Sequence, residues 1–91
     1  MKFSLGQIVM TRPLAEAVEH NEQLKREVFN ALDRYRLGEW GNLGEEDKQA
    51  NEDAIEQGER ILAKYETSSE PIYIITEWDR SYTTLMFCRD Y

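Results

Sequence analysis

Ile72-Tyr73-Ile74-Ile75-Thr76-Glu77-Trp78, then Asp79-Arg80-Ser81, then Tyr82-Thr83-Thr84-Leu85-Met86-Phe87 is the stretch whose reading decides the fold. β-Branched and aromatic residues dominate both runs, and such side chains suit a pleated, half-buried surface. Asp79 and Ser81 are turn residues because their side chains bond to nearby backbone. Upstream, Ile61, Ala63 and Tyr65 alternate with Arg60, Leu62 and Lys64, the period-two pattern of a strand with one buried face. Thr67-Ser68-Ser69-Glu70-Pro71 then turns the chain. Three strands at this spacing predict an antiparallel meander. Gln7-Ile8-Val9-Met10-Thr11 reads as a short fourth strand that can join its edge.

Between these strands the pattern turns helical. Pro13 suits the first turn of a helix, where its missing N–H is not needed, with Thr11 or Arg12 at the cap. Leu14, Ala17 and Val18 give that helix one apolar side. Asn21 is a plausible N-cap for a second helix. Leu24, Val28, Ala31, Leu32 and Tyr35 follow at helical spacing, Phe29 widens the stripe, and Gly38 stops it. Trp40-Gly41-Asn42-Leu43-Gly44 is a loop. A third helix runs from about Glu45 to Gln57, with acids at its start and Gly58 at its end. Leu43, Ala50 and Ala54 fall on one side of it, and Glu45, Glu52 and Glu56 on the other. The expectation is a single α+β domain over residues 1–91, a small antiparallel sheet with about three helices packed on one face.

Ninety-one residues allow one thin core. Cys88 is the lone cysteine, so no intramolecular disulfide can brace it. No apolar run reaches the length of a signal peptide core or a membrane helix, and the expected location is the cytoplasm. The net charge is −7. Residues 39–59 hold eight acids against Lys48 alone, so the whole imbalance sits in one segment. Direct nucleic-acid binding is disfavoured, because the phosphate backbone needs a basic surface.

The sequence carries few residues suited to chemistry. His20 and Cys88 are the only soft metal ligands and are far apart in sequence, too few for a zinc site. Glu45-Glu46-Asp47 lacks the spacing and turn glycine of a calcium loop. Cys88 with His20 does not make a nucleophile and base without help from the fold, and Cys88 reads as a buried structural residue. No phosphate-cradling glycine loop is present. No catalytic residue, metal or cofactor is expected. Arg80, on a hairpin tip beside Trp78, either grips a carboxylate or phosphate with its fork or points to water. Glu52 and Glu56 are like charges four residues apart, which an isolated helix disfavours. Such a pattern either presents a negative surface to a basic partner or serves solubility.

The chain resembles a group of short proteins of unknown function found on plasmids, integrative conjugative elements and related bacterial mobile DNA. The likeness is carried by Lys2-Phe3, Leu5-Gly6-Gln7-Ile8-Val9, Trp40-Gly41-Asn42-Leu43, Glu45-Glu46-Asp47-Lys48 with Asn51, Gly58-Glu59-Arg60-Ile61-Leu62, Ile74-Ile75-Thr76-Glu77, Asp79-Arg80-Ser81 and Thr83-Thr84. Gly44 and Trp78 depart from the pattern, which has Cys or Ser at the first position and a small residue at the second. The resemblance implies a mobile-element context and transfers no active site.

The expected role is that of a non-catalytic accessory protein acting through another protein. Its contact surface is expected at Glu45, Glu52, Glu56, Asp79 and Arg80. The alternatives are an acidic DNA mimic that blocks a host defence protein and an enzyme whose carboxylates converge in the fold. Homodimerisation through an uncovered sheet edge is also open.

Overall fold

In the computed structural model, which describes residues 2–91, the chain runs β1 (Gln7–Met10), α1 (Arg12–Glu19), α2 (Glu22–Arg36), α3 (Glu45–Gln57), β2 (Ile61–Tyr65), β3 (Ile72–Thr76) and β4 (Tyr82–Phe87). A 3-10 turn, Cys88–Asp90, follows. The α+β class is as the sequence predicts. β2, β3 and β4 form the antiparallel meander, with Ala63 opposite Ile74 and Ile74 opposite Leu85.

The sheet as a whole is mixed, not antiparallel, and this corrects the expectation. β1 lies beside β4 and runs parallel to it, so the strand order is β1-β4-β3-β2. The chain leaves β1 into three helices and re-enters the sheet at the far edge, a long excursion of the kind that parallel neighbours require. Gly6, just before β1, makes the pairing possible. A Cβ there would stand 2.3 Å from the Arg80 carbonyl oxygen, and its φ of +63° suits glycine.

One face of the sheet carries the core. Ile61, Ala63, Tyr65, Ile72, Ile74, Leu85 and Phe87 meet Leu14 and Val18 of α1 and Leu24, Val28, Ala31, Leu32 and Tyr35 of α2. Fully burying each large aliphatic side chain contributes about 1.5–3 kcal/mol relative to leaving it exposed. Asn21 caps α2 by accepting the Leu24 N–H at 3.0 Å. Phe29, expected to widen the apolar stripe, is 49% exposed. Its position lies off the line of Leu24, Val28 and Tyr35.

A chain of hydroxyls fastens α2 to the sheet. Thr83 Oγ1 donates to the Leu5 carbonyl at 2.6 Å, which uses its only proton. Thr76 Oγ1, 2.8 Å away, is therefore the donor to Thr83, and Tyr35 Oη, at 2.7 Å, is the donor to Thr76. All three side chains are fully buried. Desolvation pushes the Tyr35 phenol well above its ordinary pKa.

α3 has a different task. It does not cover a sheet face; it closes the β2 edge. Asn51 Nδ2 donates to the Leu62 carbonyl at 2.7 Å, and Asn51 Oδ1 accepts the Leu62 N–H at 3.2 Å. One amide side chain thus replaces a strand neighbour. Gly41 extends the closure as an isolated parallel bridge to Lys64, with the Asn42 N–H donating to the Lys64 carbonyl at 2.7 Å. A Cβ on Gly41 would lie 2.1 Å from that same oxygen. The inward residues of α3 are accordingly Asn51 and Ala54. Ala50, expected on the buried side with Leu43 and Ala54, is exposed.

Candidate interaction surface

The five expected contact residues do not form one patch. Glu45 opens α3, whereas Asp79 and Arg80 sit on the β3–β4 turn that docks at the other end of that 13-residue helix. A helix of that length separates its ends by about 18 Å at 1.5 Å per residue.

Arg80 takes a role that neither sequence reading contained. Its backbone is left-handed, at φ 60°. Its guanidinium donates to the carbonyls of Ala54 at 3.0 Å, Glu59 at 2.6 Å and Glu77 at 3.1 Å. It therefore ties the end of α3 to the hairpin, adding a charged donor to the Ala54 carbonyl, which also accepts from the Gly58 and Glu59 N–H groups at the helix end. The fork is engaged with backbone, so Arg80 is neither a solvated tip nor a free anion clamp. Asp79 fulfils the turn reading, since its Oδ1 accepts from the Ser81 N–H at 3.0 Å and the Ser81 hydroxyl at 2.6 Å. Those two bonds hold the Asp79 carboxyl below its usual pKa.

The acids of α3 divide in the same way. Glu52 accepts from Lys2 Nζ at 3.0 Å and from the indole N–H of buried Trp40 at 2.8 Å. These contacts lower its pKa, the Lys2 bond contributing most. Glu52 is thus a fastener for the N-terminal segment and the Trp40 loop. Glu45 and Glu56 are exposed, with Glu46, Asp53 and Glu59 also on the surface. Glu45 makes one long ion pair, 3.8 Å, with Lys48.

The surface that the sequence reading passed over is the second face of the sheet. No helix covers it. Val9, Thr84, Ile75 and Leu62 form one row across all four strands, and Met86, Tyr73 and Lys64 form the next. Ile75 and Met86 are buried yet stand outside the main core cluster. Tyr91 packs edge-on against Tyr73, with ring centroids 5.3 Å apart, and Arg60 lies over the Tyr91 ring. Tyr82 is 43% exposed on this face, and Trp78, in the turn at its end, is 66% exposed. A signal was present in the sequence. Ile74-Ile75 and Leu85-Met86-Phe87 are unbroken apolar runs, and unbroken runs mark strands with apolar side chains on both faces.

His20 is exposed, and no three His, Cys, Asp or Glu side chains among the described residues group as a metal site. Cys88 opens the terminal 3-10 turn and is only partly buried, which corrects its reading as a buried strand residue. Burial is still the main influence on its thiol, and raises the pKa. No described helix is long and apolar enough to cross a membrane.

Comparison of the chain with protein-family models, with curated proteins and with solved structures finds no match.

Proposed function

We propose that this chain is a non-catalytic accessory protein, of the kind carried by bacterial mobile DNA, that docks a basic protein partner on the helix-free face of its sheet. The observation that carries this reading is the composition of that face. Tyr82 and Tyr91 are exposed on it, Tyr73 is half-buried beside them, and an exposed Trp78 ends it. Aromatic and methionine side chains are enriched at protein interfaces, and a few such anchors supply most of the binding energy.

The charge argues for the sign of the partner. The excess of acids lies along α3, which closes the β2 edge of the sheet and carries exposed Glu45, Asp53 and Glu56 on the sides turned away from that edge. A negative flank accelerates encounter with a basic surface and repels acidic ones. Apolar anchors then hold what the charge has drawn in.

Affinity capture from the bacterial host, with three forms of the protein, tests the reading. Trp78→Ser with Tyr82→Ser should abolish recovery of a basic partner, and Glu45→Gln with Asp53→Gln and Glu56→Gln should reduce it and remove its salt dependence. Phe29→Ser, on the helical side, should have no effect. Equal recovery by all three forms and wild type would refute the proposal.

A further inference from the structure

A cleft of about 480 Å³ opens where the first half of α3 rises beside the helix-free face of the sheet. That volume lies within the range of small-molecule sites. Its apolar walls are Leu43 and Ala50 on the helix side and Leu62 and Tyr73 on the sheet side. Arg60 and Lys64 enter from β2 and its approach, and Asp47 stands on the opposite wall. Two cations thus converge on one cleft in a chain whose net charge is −7.

Neither cation is neutralised there. None of the ion pairs among the described residues involves Arg60 or Lys64. Arg60 donates from one Nη to the Tyr91 phenol at 2.5 Å, which orients the guanidinium and leaves its other N–H groups available. Alternation along β2 puts Arg60, Leu62 and Lys64 on the same side of the strand, so the apolar contact lies between the two charges. A flat ring laid on Leu62 and Tyr73 would have a cation near either end.

We propose that this cleft binds a small organic anion: a planar or apolar body bearing one carboxylate or phosphate ester, held by Arg60 and Lys64 over Leu62 and Tyr73. Asp47 sets the limit on charge. It disfavours a second negative group on the far side of the ligand and accepts a hydrogen bond from a hydroxyl or amino substituent there. The cleft shares Tyr73 with the proposed docking face, but it needs neither Trp78 nor Tyr82 and takes a ligand of opposite charge to that partner, so the two readings fail independently.

Amide chemical-shift titration of the full chain tests it. The probes are benzoate, 4-hydroxybenzoate, methyl phosphate, neutral benzyl alcohol and inorganic phosphate. Benzoate and 4-hydroxybenzoate should shift Asn42, Leu43, Asp47, Leu62 and Lys64 together, and 4-hydroxybenzoate should bind more tightly. Lys64→Gln and Arg60→Gln should each weaken benzoate about tenfold or more, while Asp47→Asn should tighten it. Ala50→Leu, at an exposed helical position, should block all organic probes without loss of fold, which its amide spectrum will report. Methyl phosphate binding as tightly as benzoate would assign the ester rather than the carboxylate as the preferred anion, and would uphold the site. The proposal is overturned if inorganic phosphate matches benzoate and Ala50→Leu changes neither, which would mean an adventitious ion only. It is equally overturned if benzyl alcohol binds as well as benzoate, or if no probe shifts the cleft residues.

Discussion

Replacing Thr83 with valine removes one hydroxyl and should cost more than any other single change in the buried relay. The order of donation runs from Tyr35 to Thr76 to Thr83 to the Leu5 carbonyl. Loss of Tyr35 Oη removes the first donor only, and Thr76 still donates to Thr83. Tyr35→Phe should therefore cost about 1 kcal/mol. Thr76→Val leaves the Tyr35 proton with the Ile61 carbonyl at 3.4 Å as its remaining acceptor, a poor bond. One poorly satisfied buried donor raises the cost to about 2 kcal/mol. Thr83→Val leaves two groups without partners, the Thr76 proton and the Leu5 carbonyl, for about 3 kcal/mol. Valine keeps the shape in both threonine variants, so packing changes little. Urea unfolding followed by circular dichroism reads all three, with unchanged m-values as the condition for comparing them. The Tyr35→Phe, Thr76→Val double variant should lose less than the sum of its parts, by about 1 kcal/mol, because Tyr35→Phe removes the hydroxyl that Thr76→Val orphans. Equal costs at Tyr35 and Thr83, or strict additivity of the pair, would refute the donation order.

Other parts of the structure make equally definite predictions. Arg80→Ala should destabilise by about 2–3 kcal/mol through loss of charged bonds to three carbonyls, whereas Arg80→Gly should recover about 1 kcal/mol of that by relaxing the left-handed backbone; denaturant melts compare them. Gly41→Ala should lose the fold or most of its stability, and Gly44→Ser should gain a few tenths of a kcal/mol, since Gly44 has open space and caps α3 without a side-chain bond. Burial raises the phenol pKa values of Tyr35 and Tyr65 from an ordinary value of 10. Above about pH 10 the unfolded chain therefore binds fewer protons than the native one, and stability should fall as pH rises, with Tyr35→Phe flattening the slope. Glu52 moves in the opposite sense. Its folded pKa lies below 4.5, so its contribution is complete above that pH and lost as pH falls through the folded value. In a Trp78→Phe background, Trp40 fluorescence should titrate with a midpoint below 4.5, and Glu52→Gln should abolish the step.

The elements were largely legible because each follows from local pattern. α3 begins and ends where its acids and Gly58 indicate, and β4 spans the whole run from Tyr82 to Phe87. Trp78 fell outside β3 because the turn begins there, and Arg80 in the left-handed region could not be read from an arginine, since glycine, Asn and Asp are the usual signals. The direction of β1 was hidden for a different reason. A strand of four residues carries the same alternation whether its neighbour runs parallel or antiparallel. The surface residues were least legible. Glu52 and Arg80 look like free charges in a string of letters, and only three-dimensional proximity shows that Lys2 and the end of α3 engage them. Gly6, Gly41, Asn51 and Arg80 prove to be joints of the fold.

Asn51 also governs how these molecules can line up. A ribbon that grows by adding strand to strand requires two receptive margins on every subunit. With the amide of Asn51 occupying one margin at Leu62, the margin left without a neighbour among the described residues is β1. Backbone pairing between copies must then stop at two, joined β1 to β1, with no further place for a third. Truncating that single amide to alanine would free the Leu62 backbone alone, because Gly41 and Asn42 would still cover Lys64 on the same margin.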